Sequence, residues 1–321
     1  MNTRTLGKTG LPVSQLGAGG LFLSTFGGEF EQSRLALRRA LELGVNYIDT
    51  APTYANSEEV IGNILADVST PVVLSTKLGG RPQPFNPRDK ACLRQSVEES
   101  LRLLHRDQID ILMIHEPDRP KVYDWWTDPV AYQGPVLEFL DDLKREGLIR
   151  FTGLGGVTAY EIAPIIRTGK FDVVLTAGNY SLLWREAERE VLPAAKEHGV
   201  GVIIGSPLQQ GSLARRYDDE IRHGARWLSP PRRQQFQALY DFLDEVQLPI
   251  AEAGLRFAIS NPIVSCVLMG ARSVQEVEQN AAAVAKGSLS PAILKRLDEI
   301  AALVPFCPCG EPPFFLPFGK W

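Results

Sequence analysis

SQLGAGGLFLSTFGG, residues 14–28, opens as a short apolar run and then turns through glycines, and the residues beyond the turn decide the architecture. In an open dinucleotide-binding sheet, a Gly-x-Gly-x-x-Gly turn passes directly from the first strand into a helix. Here Gly17, Gly19 and Gly20 lead into LFLSTFGG, and helical periodicity begins only near residue 31. Residues 14–20 are therefore read as the first strand of a different parallel architecture.

Seven more strand candidates succeed it at a regular beat: VNYIDTA (45–51), VVLSTKL (72–78), IDILMIH (109–115), RFTGLGG (150–156), VVLTAG (173–178), GVIIGSP (201–207) and CVLMGA (266–271). Each is short and β-branched or apolar, as strands buried on both faces are. Between them lie amphipathic stretches such as EQSRLALRRALELG (31–44), DKACLRQSVEESLRLL (89–104) and REAEREVLPAA (185–195), several closed by glycine. Eight strand–helix units in about 250 residues match a closed barrel. The expected fold is α/β, a (β/α)8 TIM barrel in a single domain over residues 1–321, with the barrel spanning about 14–286. A β-hairpin around Gly7–Gly10 is expected to plug the barrel bottom, residues 208–231 form a long loop, and a C-terminal helix and Pro-rich tail occupy 290–321.

Composition narrows the partners. Lys+Arg 34 against Asp+Glu 38 leaves a formal net charge of −4, so no global attraction to nucleic acid or an anionic membrane is expected. No apolar run approaches the roughly 18 residues of a membrane span, and MNTRTLGKTG lacks the apolar core of a signal peptide. A cytoplasmic protein with a small-molecule partner is expected, its oligomeric state open. Cys92, Cys266, Cys307 and Cys309 are too few and too scattered for a disulfide framework. The Cys307/Cys309 pair has no second Cys/His pair nearby, and no HExxH or CxxC occurs, so no metal site is expected.

In such a barrel the active site forms at the C-terminal ends of the strands. The second strand candidate reaches Asp49, with Tyr54 just beyond; the third carries Lys77; the fourth ends in His115. Carbonyl reduction needs a proton donor at oxygen while hydride arrives at carbon. A phenol ordinarily titrates near 10, so the Lys77 ammonium is expected to draw Tyr54 toward working pH. Asp49 would keep the lysine charged, and His115 would donate a hydrogen bond to the substrate oxygen. His105, His198 and His223 fall at helix ends or in loops and are read as structural or solvated.

At these positions DTAPTYANSEEVIG (49–62), STKLG (75–79) and MIHEPD (113–118) closely resemble the Asp, Tyr, Lys and His signatures of the aldo-keto reductase family. The resemblance runs from RTLGKTGLPVSQLGAGG to GARSVQEVEQN (270–280), and it implies NAD(P)-dependent hydride transfer with Asp49, Tyr54, Lys77 and His115 as the catalytic tetrad. The interval from Asp49 to Glu58–Glu59 is one residue longer than the family's commonest form.

The resemblance also implies a dinucleotide, NAD or NADP, across the barrel mouth. GSPLQQGSL (205–213) looks like the pyrophosphate loop, which carries over Gly205, Ser206, Leu208 and Gly211. GARSVQEVEQN looks like the adenosine site, which carries over Gly270, with Arg272, Ser273 and Glu276 toward the ribose or its phosphate and Gln279 and Asn280 toward adenine. Glu276 stands where NADP-preferring relatives often carry a basic residue, while Arg272 could neutralise a 2′-phosphate. Mixed use biased toward NAD is expected. Three departures fall at the nicotinamide end: Gly155–Gly156 replace a Ser-Asn pair, Ala177 a Gln, and Gly205 an aromatic.

LTAGNYSLL (175–183) resembles the branch of sugar 1-dehydrogenases, so the expected substrate is an aldehyde or ketone or the anomeric carbon of a sugar. Trp125 and Trp126 are candidate walls over a sugar ring, and Glu116 a candidate acceptor for its hydroxyls. A non-catalytic, nicotinamide-binding regulatory barrel is the alternative, against which the intact tetrad argues. A glycosidase would need two facing strand-end carboxylates, and Asp49 is the one strand-end acid placed here.

Overall fold

The computed structural model describes residues 1–224 and 228–306; the Cys307/Cys309 pair and the aromatic tail lie outside the described residues. Strands β1 (Thr3–Thr5) and β2 (Pro12–Ser14) pair antiparallel. The barrel strands are β3 (Leu16–Gly19), β4 (Tyr47–Asp49), β5 (Val73–Leu78), β6 (Ile109–His115), β7 (Ile149–Gly156), β8 (Val173–Ala177), β9 (Gly201–Gly205) and β10 (Val264–Met269). They run parallel in chain order and close where β10 pairs with β3. All eight expected strands are present, each within two residues of its expected start.

The helices are α1 (Phe30–Glu42), α2 (Ser57–Leu65), α3 (Lys90–Leu104), α4 (Pro135–Arg145), α5 (Ala159–Arg167) and α6 (Glu186–Arg189). They continue with α7 (Val191–His198), α8 (Asp218–His223), α9 (Pro230–Glu245), α10 (Ile250–Ser260), α11 (Val274–Ala285) and α12 (Pro291–Ala301). Local chemistry starts several of them. Asp89 accepts a hydrogen bond from Ala91 N at 2.9 Å ahead of α3, and Ser290 caps α12 with proline following it at the first position. The expected loop at 208–231 is interrupted by α8, whose Ile221 is buried, so this segment is anchored rather than a plain connection.

Side chains alternate across a strand with period two. Tyr47, Val73, Ile111, Met113, Val173, Ile203 and Cys266 form one core inside the barrel, joined by Leu6, Leu11 and Val13 of the hairpin, which fills the bottom as expected. The other face of each strand packs against the helices in a second, larger core. This alternation positions the site: counting by twos from the interior residues brings Asp49, Ser75, Lys77, His115, Ala177 and Gly205 to the inner face at the upper strand ends. Among the described residues, no helix is long and apolar enough to cross a membrane. No group of three or more His, Cys, Asp or Glu is placed to hold a metal there.

Candidate active site

Three neighbouring strands and one loop bring the tetrad together. Lys77 Nζ donates to Asp49 Oδ2 at 2.7 Å and to the Thr50 carbonyl at 2.8 Å, and both charged side chains are all but completely buried. Tyr54 lies in a turn that returns its N–H to the Ala51 carbonyl. The turn is clamped from behind, Thr50 Oγ1 donating to Ser57 Oγ at 2.8 Å and Ser57 Oγ to the Gly20 carbonyl at 2.7 Å. Glu58, also buried, accepts from Thr76 Oγ1 and pairs with Arg81, tying the start of α2 to β5. Lys77 Nζ thereby stands 4.8 Å from the Tyr54 ring centroid, and the His115 ring meets Tyr54 edge-on with centroids 6.0 Å apart.

Burial governs the electrostatics. It disfavours the Lys77 charge, but Asp49 and Tyr54 together outweigh that and hold the ammonium above the ordinary lysine range. Burial also raises the Tyr54 phenol and exceeds the opposing pull of Lys77. This corrects the expectation that the ammonium draws it toward working pH, since desolvation of a phenolate is the larger effect here. His115 is pushed down to about 3 by burial first and Lys77 second. It is a neutral donor or acceptor at physiological pH, not a cation.

Away from the barrel axis, the rim beside His115 is polar and aromatic. Thr53 Oγ1 approaches His115 Nδ1 at 3.5 Å, and Tyr123 lies 6.5 Å from the histidine ring, packed against Phe85 at 5.4 Å. Glu116, just beyond β6, has its carboxylate engaged by Arg119 at 3.0 Å. The tryptophans are placed otherwise. Trp125 is fully buried and donates from Nε1 to the His115 carbonyl at 3.0 Å; Trp126 is 5% exposed and donates to the Pro117 carbonyl at 3.1 Å. Both expectations of a substrate wall are corrected: an indole whose N–H serves the loop backbone packs beneath that loop. Tyr123, half-buried, rests on Trp125 with ring centroids 5.7 Å apart.

A cavity of about 370 Å³ opens on the opposite side of Tyr54 and Asp49. Gly205, Ser206, Leu208 and Gly211 line it, and so do Gly270, Arg272, Glu276, Gln279 and Asn280. Of the ten residues expected to bind dinucleotide, Ser273 alone is not on the wall. Its hydroxyl is used as the α11 cap, accepting from Glu276 N at 3.2 Å. Glu276 in turn accepts from Arg272 N at 2.7 Å, and the Arg272 guanidinium lies 5.5 Å from the Phe22 ring centroid. Phe22 and Leu21, from the turn after β3, form a wall that sequence reading did not assign.

The groove suits a long ligand because side chains are missing from it. A Cβ on Gly205 would press within 3.0–3.1 Å of Leu175 and Ala177, and one on Gly270 within 2.8 Å of Phe22. Ser206, Gln209 and Gln210 have φ of 51°, 47° and 49°, left-handed backbone of the kind that clusters at ligand sites. Gln210 Oε1 is buried without a partner on this wall. Small residues, main chain and one unpaired amide oxygen along a groove that reaches Tyr54 fit an extended dinucleotide.

Comparison with known proteins agrees with this construction. The sequence profile of the aldo/keto reductase family matches residues 15–302. L-Galactose dehydrogenase of Arabidopsis thaliana is 31% identical, the match covering 94% of this chain and 93% of that protein. A putative voltage-gated potassium channel subunit beta of Schizosaccharomyces pombe is 28% identical over 94% of both chains. Among solved structures, the holo form of aldo-keto reductase AKR11C1 from Bacillus halodurans superposes with a TM-score of 0.77 at 27% identity, covering 94% of this chain and 96% of that one. With the barrel, the grouped Asp49, Tyr54, Lys77 and His115, and the groove beside them in place, the chain belongs to the aldo/keto reductase family of NAD(P)-dependent oxidoreductases.

Proposed function

We propose that the chain is a dehydrogenase acting on the anomeric carbon of a cyclic sugar, the same site reducing aldehydes or ketones in the opposite direction. The observation that carries the reading is the position of Tyr54: held against the buried Lys77–Asp49 pair, it lies between the groove and a rim of hydroxyl, imidazole and carboxylate groups. Likeness to L-galactose dehydrogenase supports the sugar substrate.

Gly205, Ser206, Leu208 and Gly211 would hold the dinucleotide's phosphates, and Gln279 and Asn280 its adenine. When bound, the nicotinamide accepts or donates the hydride. In oxidation Tyr54 removes the proton of the anomeric hydroxyl as the C–H bond of that carbon releases its hydride, leaving a lactone carbonyl. In reduction Tyr54 returns a proton to the carbonyl oxygen. Lys77 steadies the phenolate, Asp49 steadies Lys77, and neutral His115 hydrogen-bonds the reacting oxygen. Because burial keeps Tyr54 in its phenol form at neutral pH, oxidation should accelerate as pH rises. Tyr123 offers a ring face to the C–H side of a sugar, and Thr53 and Glu116 offer acceptors to its hydroxyls. Glu276 at the ribose end favours NAD, since a carboxylate there repels a 2′-phosphate.

Absorbance at the reduced-nicotinamide band, recorded with a panel of aldoses and small aldehydes and with both cofactors, tests this reading. Aldose oxidation with NAD exceeding NADP is expected. Reduction of simple carbonyls without aldose oxidation would replace the sugar reading. Tight dinucleotide binding without any turnover would establish the non-catalytic barrel, the reading that the channel-subunit relative favours.

A further inference from the structure

Beneath Asp49 the inner face of the barrel carries two polar groups that the reaction does not touch. Tyr47 Oη donates to Ser75 Oγ at 2.8 Å, and Ser75 Oγ donates to Asp49 Oδ1 at 2.7 Å. Strand register places Ser75 directly beside Asp49, and all three side chains are sealed from solvent. We propose that Tyr47 and Ser75 are positioning residues, a two-link brace that holds Asp49 turned toward Lys77, and thereby fixes the ammonium that faces Tyr54.

The chemistry of the hydroxyls supports the assignment. Asp49, only 2% exposed, has two oxygens to satisfy: Lys77 serves Oδ2 and Ser75 serves Oδ1. The single Ser75 proton has a second outlet, the Ile48 carbonyl at 3.5 Å, so its direction must be chosen. Tyr47 makes that choice by occupying a lone pair of Ser75, and burial keeps the Tyr47 phenol protonated and hence always a donor. The chain of bonds ends at Tyr47 among Val13, Met113 and Cys266, with no route to solvent. It is an electrostatic support and not a proton wire.

The charges facing Tyr54 are Lys77 on β5, Asp49 on β4 and Glu116 just beyond β6, with neutral His115 completing the ring of groups. Cys266 on β10 and Asp110 on β6 act electrostatically on the Tyr47 phenol. Without the Ser75 hydroxyl, Asp49 would turn both oxygens onto Lys77 and draw the ammonium from Tyr54, so the phenol would become harder to ionise.

The inference deepens the proposed reaction, and only its consequence for turnover rests on that reading. The test therefore reads Tyr54 directly in the cofactor-free protein, as the ultraviolet tyrosinate titration of each variant minus the same variant carrying Tyr54→Phe. Ser75→Ala should move the Tyr54 titration upward by about one pH unit, a tenfold change in proton affinity. Ser75→Thr, which keeps the hydroxyl, should restore it, and Tyr47→Phe should move it upward by less. A Ser75→Ala titration matching wild type, or failure of Ser75→Thr to restore it, overturns the proposal. Should Ser75→Ala not fold, Tyr47→Phe decides: an upward shift supports the brace and an unmoved titration overturns it. Absence of any turnover in the wild type would refute the proposed function and leave this measurement intact.

Discussion

At the catalytic end of the cleft, Asp49, Ser75 and Lys77 are between 0% and 2% exposed, and the bonds that join them are 2.7 Å long. At the end proposed for the dinucleotide, glycines and alanines alternate with larger side chains such as Phe22, Leu208 and Arg272, and a buried amide oxygen of Gln210 is left without a partner. The first region is complete without a ligand, whereas the second is shaped as space for one. Catalysis by proton transfer requires groups fixed before the substrate arrives, because a buried ion pair that loses one member costs about 3–5 kcal/mol and cannot be improvised. A cofactor of fixed shape can instead be received by main chain and by omitted side chains.

Substitutions at the two ends should therefore fail in different ways. The largest effect belongs to Tyr54→Phe: kcat should fall by about 10²- to 10⁴-fold, as for removal of a general acid/base, while dinucleotide affinity measured by fluorescence titration stays within twofold. Retention of more than half the wild-type rate would remove Tyr54 from its role. An intermediate effect is expected from Glu276→Arg at the far end of the groove. The ratio of kcat/KM for NADP to that for NAD should rise by about tenfold, roughly 1.4 kcal/mol, with kcat little altered. An unmoved ratio would mean that the ribose lies elsewhere. The smallest kinetic effect should come from Trp126→Ala, whose ring supports the rim loop from below. Thermal unfolding should show a loss of about 3–5 kcal/mol, typical of an emptied aromatic core position, yet KM for substrate should change by less than about twofold in the folded enzyme. A large KM increase without destabilisation would return the indole to the substrate wall.

The same contrast separates the legible residues from the rest. Lys77 and Ser75 share a face by the two-residue period of a strand, as do Asp49 and Tyr47, so the period alone puts the members of the brace inside the barrel. Which hydroxyl meets which carboxylate oxygen depends on the register between β4 and β5, and that is not a local property. The groove residues were traced through GSPLQQGSL and GARSVQEVEQN, and nine of the ten expected residues line it. Ser273 went astray because a serine ahead of a helix has a local use, capping, which competes with any ligand.

Residues 45–115 determined much by themselves. Short apolar strands alternating with helices require a covered parallel sheet, and chemistry-bearing residues at three successive strand ends locate a site, because strand direction and side-chain alternation are local properties of the chain. Tertiary structure alone decided that Trp125 and Trp126 turn inward to serve the His115 and Pro117 carbonyls, since the orientation of a loop depends on what packs beneath it. It also decided that burial outweighs the Lys77 charge at Tyr54. The proton affinity of a side chain is set by every group and every missing water around it, and residues distant in sequence supply most of both.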